Sequence, residues 1–134
     1  FEDVKRSAQT FVDSLADGST VVVVPFGNGV NPEAVQEFRL DAAGRAAARA
    51  YIGGLVADNG TTYITEAVGV AIDELARLAA ADDRPHVQTV LLYTDGVGNG
   101  PGDIGTDGQP SVDALLQRLD AYRSDQSFLF VKYI

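Results

Sequence analysis

Four consecutive valines limit the folds open to this chain more than any other feature of its sequence. They lie in the segment TVVVVPF at 20–26, and a continuous β-branched run of this kind is typical of a strand covered on both faces. Two further apolar runs, VQTVLLYT at 87–94 and FLFVKYI at 128–134, predict strands as well. Segments with helical periodicity lie between these runs. The alternation predicts an α/β fold, with a doubly wound, mostly parallel sheet and helices on both faces.

The helices are predicted from apolar residues that recur every three or four positions. The clearest helix is 64–81, and Thr62 or Thr65 is expected to cap its start. A charged, alternating segment at 35–40 predicts a short edge strand. Gly18 is expected as the left-handed cap that ends the first helix. The other predicted helices are 1–16, 42–57 and a helix that begins at Ser111.

Composition narrows the class of protein. The length of 134 residues predicts one domain, 1–134, and 46% hydrophobic with 22% charged residues is typical of a globular chain. A net charge of −9 argues against nucleic acid or an anionic membrane surface as a partner. The absence of cysteine excludes disulfides, thiolate zinc sites and cysteine nucleophiles. No apolar run approaches the length of about 18 residues that a membrane-spanning helix requires.

Two polar residues stand where a parallel sheet places its ligands. Asp95 follows the predicted strand 87–94, and Thr62 precedes the predicted helix 64–81. Strand exits and helix entries share the carboxyl-end edge of such a sheet, so we expect both side chains there. A carboxylate and a hydroxyl suit a hard cation such as Mg²⁺. A turn role for Asp95 and a capping role for Thr62 are the alternative interpretations.

The order of these segments resembles the von Willebrand factor type A (VWA) family over essentially all of 1–134. A first helix is followed by VVVVPF, NGTTYITEAV and VLLYTDG, as in that family. Gly60-Thr61-Thr62 matches the Gly-x-Thr that opens a later helix of the family, and Thr94-Asp95-Gly96 matches the Thr-Asp-Gly that ends its fourth strand. The resemblance implies a Rossmann-like fold and a metal-ion-dependent adhesion site that includes Thr62 and Asp95.

The resemblance also implies what such a site binds. It implies one Mg²⁺, Mn²⁺ or Ca²⁺ ion whose open position is completed by an Asp or Glu carboxylate of a protein ligand. The family's Asp-x-Ser-x-Ser motif is absent from 1–134. In the family this motif ends a central first strand, so we expect such a strand before Phe1, lying between 20–26 and 87–94 in the sheet. A terminal strand and helix are expected after 128–134, which makes the given residues a fragment.

Three classes of function remain open. The leading hypothesis is a cation-dependent protein-binding module, not an enzyme, with the loops 27–34, 58–62 and 96–110 around the cation. Six glycines in 96–110 predict a loop that is mobile until a partner binds. The second class is a Mg²⁺-dependent phosphotransferase or hydrolase, which is less favoured because the segments 27–31, 58–63 and 94–109 lack the Lys or Arg that phosphate requires. The third is a scaffold or assembly domain of the same fold without a working metal site.

The composition also gives an expectation about location. The chain is acidic, contains no cysteine and is rich in alanine and glycine. This composition suits a bacterial protein, and we expect it outside the cell or at the cell surface.

Overall fold

The computed structural model describes residues 1–57, 60–84 and 87–94, then 113–114, 116–117, 119–121 and the backbone of 129–133. The chain forms two compact units, Phe1–Pro25 with Asn31–Asn59, and Phe26–Val30 with Gly60–Ile134. The described residues between 113 and 121 are helical. No helix in the described ranges is long and apolar enough to cross a membrane. In chain order the elements are α1 (Glu2–Ser14), β1 (Thr20–Val23), β2 (Phe26–Gly27), β3 (Gly29–Val30), a 3₁₀ turn (Pro32–Ala34), β4 (Gln36–Arg39), α2 (Ala42–Gly54), α3 (Ile64–Ala81), β5 (Gln88–Leu92) and β6 (Leu129–Tyr133).

The strands of the described residues form three hydrogen-bonded pairs. β1 and β4 are antiparallel, with Val21 opposite Phe38, and β2 and β3 form an antiparallel hairpin. β5 and β6 are parallel, with Val90 opposite Val131. The prediction of a short strand within 35–40 is therefore confirmed by β4. A single doubly wound sheet, and a further strand between 20–26 and 87–94, stay predictions.

The predicted strand 20–26 is divided, which corrects the expectation of one continuous strand. β1 ends at Val23, and β2 begins at Phe26 with β3 as its partner. Pro25 explains the break, because proline has no N–H to donate to a strand ladder. The four valines are half-buried rather than fully covered. Among the residues packed against the core of this unit are Val21 and Val23, which lie on one face of β1.

The core of the first unit lies between α1, α2 and the β1–β4 pair. Its fully or nearly fully buried residues are Val12, Leu40, Ala48 and Ile52. Phe38 packs against this cluster, and its ring lies 5.8 Å from that of Tyr51 on α2. Apolar residues at helical spacing on α1 and α2 therefore cover one face of a two-stranded sheet.

Polar contacts hold α1 and α2 together around that core. The Arg45 guanidinium donates to the carbonyl of Val12 and, at 3.0 Å, to that of Leu15, and it pairs with Asp17 at 2.7 Å. These carbonyls lie at the carboxyl end of α1, where that of Val12 also accepts a long hydrogen bond from the Leu15 N–H, at 3.4 Å. One turn further along α2, Arg49 pairs with Asp13. The cation of Arg45 thus caps the carboxyl end of α1 from a neighbouring helix.

Two glycines of the first unit occupy positions where the backbone geometry favours glycine. Gly18 has a φ of +88°, as expected for a left-handed residue, but it does not cap α1, whose C-cap is Leu15. It lies instead in a turn closed by a hydrogen bond from the Ser19 N–H to the Ala16 carbonyl, at 3.2 Å. Gly44 follows the α2 cap Asp41, and a Cβ at Gly44 would lie 1.9 Å from a backbone oxygen of the preceding strand. The left-handed conformation of Gly18 is therefore confirmed and its capping role is wrong, while the close approach at Gly44 was not predicted.

The core of the second unit lies under α3. Ile64, Val68 and Ile72 line one face of this helix and pack with Leu92 of β5. Phe26 of the hairpin and Leu119 add to the same cluster. The bounds of α3 match the predicted helix 64–81. The predicted cap is wrong, because Tyr63 rather than Thr62 or Thr65 occupies the N-cap position, and its side chain makes no capping hydrogen bond.

Candidate functional site

Thr62 lies directly before the N-cap of α3, beside the β2–β3 hairpin. The N–H of Tyr63 donates to the carbonyl of Gly27 at 2.9 Å. On the other side of Thr62, the Thr61 hydroxyl donates to Oδ1 of Asn28 at 2.7 Å. The residues on both sides of Thr62 are therefore hydrogen-bonded to consecutive residues of the hairpin.

The hairpin is held to α3 at a third point. The N–H of Val30 donates to Oε1 of Glu66, in the first turn of α3, at 3.1 Å. Gly29 has a φ of +95°, which lets the chain reverse after Asn28, and a Cβ at Gly29 would lie 3.5 Å from Oε2 of Glu66. The Gly-Asn-Gly tip thus turns tightly and brings the second strand of the hairpin against the Glu66 carboxylate.

The start of α3 and the hairpin bonded to it offer several side-chain oxygens. The Thr62 side chain is half-buried, Asn28 contributes an amide oxygen and Glu66 an exposed carboxylate. Neither 27–31 nor 60–63 contains Lys or Arg. Hydroxyl, amide and carboxylate oxygens are the donors that Mg²⁺ and Ca²⁺ take as ligands. The residues present therefore fit a hard cation, with Thr62 as one neutral donor.

A family model for the von Willebrand factor type A domain matches residues 1–130. The chain belongs to the VWA family. Searches of curated proteins and of solved structures found no significant match. Family membership confirms the resemblance drawn from the sequence, and it gives the chain an α/β, Rossmann-like fold and the general role of a protein-interaction module.

The second predicted ligand of this VWA domain, Asp95, lies outside the described residues, as does the loop 96–110. The expectation that Asp95 lies close to Thr62 therefore stays a prediction. The chain is described up to Thr94, two residues past the end of β5. Tyr93, next to it, is half-buried, and this burial raises the pKa of its phenol above the usual 10.0. In the described ranges no three His, Cys, Asp or Glu side chains form a metal-binding group.

Sequence reasoning placed the loops 27–34 and 58–62 around the cation, but it did not predict which of their residues are hydrogen-bonded to each other. The hydrogen bonds of Asn28 with Thr61 and of Val30 with Glu66 are therefore contributed by the structure. Asn28 and Thr61 are 33 positions apart, so no spacing rule relates them. The sequence offered one indirect indication of this contact. The Gly-Asn-Gly turn and the Thr-Thr pair both belong to loops expected at the same edge of the sheet.

Proposed function

We propose that this VWA domain binds a partner protein through one divalent cation, held by Thr62 and Asp95. The observation that carries the proposal is that both neighbours of Thr62, at the start of α3, are hydrogen-bonded to the β2–β3 hairpin. The bound cation would supply an electrophilic centre for an Asp or Glu carboxylate of the partner. Thr62 would offer its neutral hydroxyl, and Asp95 would offer the negative charge that offsets that of the ion.

The finer features of the proposal extend the family assignment. We propose the doubly wound, mostly parallel sheet as the scaffold, because it would bring the end of β5 and the start of α3 to one edge. The parallel pairing of β5 with β6 supports this part of the proposal. The loop 96–110 would order over the cation when the partner binds. An extracellular or cell-surface location in a bacterium is part of the same proposal, and it suits a module that grips protein ligands.

The metal assignment is tested by calorimetric titration of the intact protein with Mg²⁺ and Mn²⁺. Asp95→Ala should remove most of the binding, because it deletes a charged ligand. Thr62→Ala should weaken binding by about tenfold or less, since water can replace a neutral oxygen. Asp83→Ala is the matched control: it removes one exposed carboxylate beyond the far end of α3, whose 18 residues span about 27 Å. Equal affinity in wild type and Asp95→Ala would contradict the assignment.

Cation dependence of the interaction is tested separately. A partner retained on the immobilised protein in Mg²⁺ should elute when EDTA removes the ion. Replacing a single acidic residue of that partner should abolish retention in the same way. Retention that EDTA does not change would leave the family assignment intact and favour a scaffold domain without a working metal site.

A further inference from the structure

Three hydrogen bonds between described residues join the β2–β3 hairpin to the segment around Thr62. Asn28 accepts from Thr61, Gly27 accepts from Tyr63, and Val30 donates to Glu66. The hairpin is itself anchored, because Phe26 packs in the apolar cluster under α3. The hairpin, which Phe26 anchors in the core, therefore holds the chain at Thr61 and Tyr63, on both sides of Thr62.

We propose that the hairpin positions Thr62 for the cation, with Asn28 as the positioning residue acting through Thr61. The inference rests on the proposed function. Two of the three contacts involve backbone atoms of the hairpin, which a side-chain substitution leaves in place. The Asn28–Thr61 contact joins two side chains, so it is the contact that mutation can remove cleanly.

The physical basis is the stiffness of threonine. A β-branched side chain has few χ1 rotamers for a given backbone conformation, so fixing the backbone at 61–63 restricts where the Thr62 hydroxyl points. A ligand held in the correct direction before the ion arrives loses less conformational entropy on binding. Residues that orient metal ligands in this way commonly affect metal affinity without touching the ion. Asn28 therefore belongs to the metal site by function, although it lies in a turn far from Thr62 in sequence.

The test is a double-mutant cycle in the intact protein, with Mn²⁺ affinity as the readout. Asn28→Ala and Thr61→Val should each weaken Mn²⁺ binding by about two- to tenfold, the equivalent of one hydrogen bond. The double variant should be no weaker than either single variant, because both substitutions remove the same contact. Thr61→Ser retains the hydroxyl and should restore wild-type affinity.

Asn31→Ala is the matched control. Asn31 lies three residues after Asn28, and its side chain accepts a hydrogen bond from the N–H of Glu33 in the 3₁₀ turn. Loss of this hydrogen bond should disturb the 3₁₀ turn and leave Mn²⁺ affinity unchanged. An equal loss of affinity in Asn31→Ala and Asn28→Ala would overturn the proposal, since general loosening of the segment would then explain both.

The remaining outcomes separate this inference from the proposed function. If Asp95→Ala loses Mn²⁺ and Asn28→Ala binds it as wild type does, the cation site stands and the positioning role is overturned. Additive losses in the double variant, or failure of Thr61→Ser to restore affinity, overturn it as well. If Asp95→Ala binds Mn²⁺ unchanged, the cation site itself is wrong, and the positioning role falls with it.

Discussion

Arg45→Met is expected to destabilise the first unit by about 2–3 kcal/mol. The Arg45 side chain is 20% exposed and donates to two carbonyls at the end of α1, those of Val12 and Leu15. A hydrogen bond to a charged group contributes about 1.5–3 kcal/mol, and partial rehydration of the helix end reduces this to about 1–1.5 kcal/mol for each carbonyl. Asp17 is 83% exposed, so its ion pair adds at most about 0.5 kcal/mol. Methionine retains the apolar stem and a good helix propensity, which isolates the lost guanidinium.

Arg49→Met is the matched control, four residues further along α2. Its partner is the side chain of Asp13, and the two side chains are 45% and 43% exposed. An ion pair with this exposure contributes about 0–1 kcal/mol. Both variants therefore remove a guanidinium group from α2. In Arg45 this group donates to carbonyls at the end of α1, whereas in Arg49 it pairs with a side chain.

The assay is urea denaturation of the intact protein, followed by circular dichroism. With a urea dependence of about 1–3 kcal/mol per molar, the Arg45→Met midpoint should fall by about 0.7–3 M, and that of Arg49→Met by much less. Raising NaCl to about 0.5 M should reduce the effect of Arg49→Met and leave most of the Arg45→Met effect, because salt screens exposed ion pairs more than bonds to carbonyls. Equal midpoints for the two variants would refute the capping role of Arg45.

Two further predictions concern single residues. Gly44→Ala should destabilise the protein by about 2–3 kcal/mol, because the added Cβ would lie 1.9 Å from the Arg39 carbonyl oxygen. Gly54→Ala is the control: its Cβ would meet nothing within 4 Å, so it should be neutral or stabilising by up to about 1 kcal/mol. Thermal unfolding compares the two variants, and similar changes in their midpoint temperatures would contradict the steric argument. Burial raises the pKa of Tyr93, so the folded state holds the phenol proton more tightly than the unfolded state does, and stability should fall as the pH rises above about 10. Tyr93→Phe cannot ionise and should lose less stability between about pH 9 and pH 11, as measured by urea denaturation; an identical decline in both proteins would count against burial of this phenol.

Much of the fold could be predicted from periodicity because burial imposes it locally. The apolar face of α3 recurs at helical spacing, so its bounds agree with the predicted 64–81. β4 and β5 lie within the predicted segments 35–40 and 87–94 for the corresponding reason in strands. The valine run was misjudged, because hydrophobicity alone ignores the missing N–H of Pro25. The left-handed conformation of Gly18 was predicted correctly, but the end of α1 at Leu15 was not, because backbone hydrogen bonding rather than the apolar pattern decides where a helix ends.

The sequence by itself determined the family and the chemical types of the candidate ligands. The ordered segments and the Gly-x-Thr and Thr-Asp-Gly motifs carry that information, because a hydroxyl and a carboxylate remain oxygen donors in any conformation. Only the tertiary structure decided what surrounds Thr62. Asn28 and Thr61 are 33 residues apart, and a hydrogen bond of 2.7 Å between them depends on the path of the whole intervening chain. Arg45 likewise reaches the end of α1 only because packing of two helices over one sheet brings their ends together.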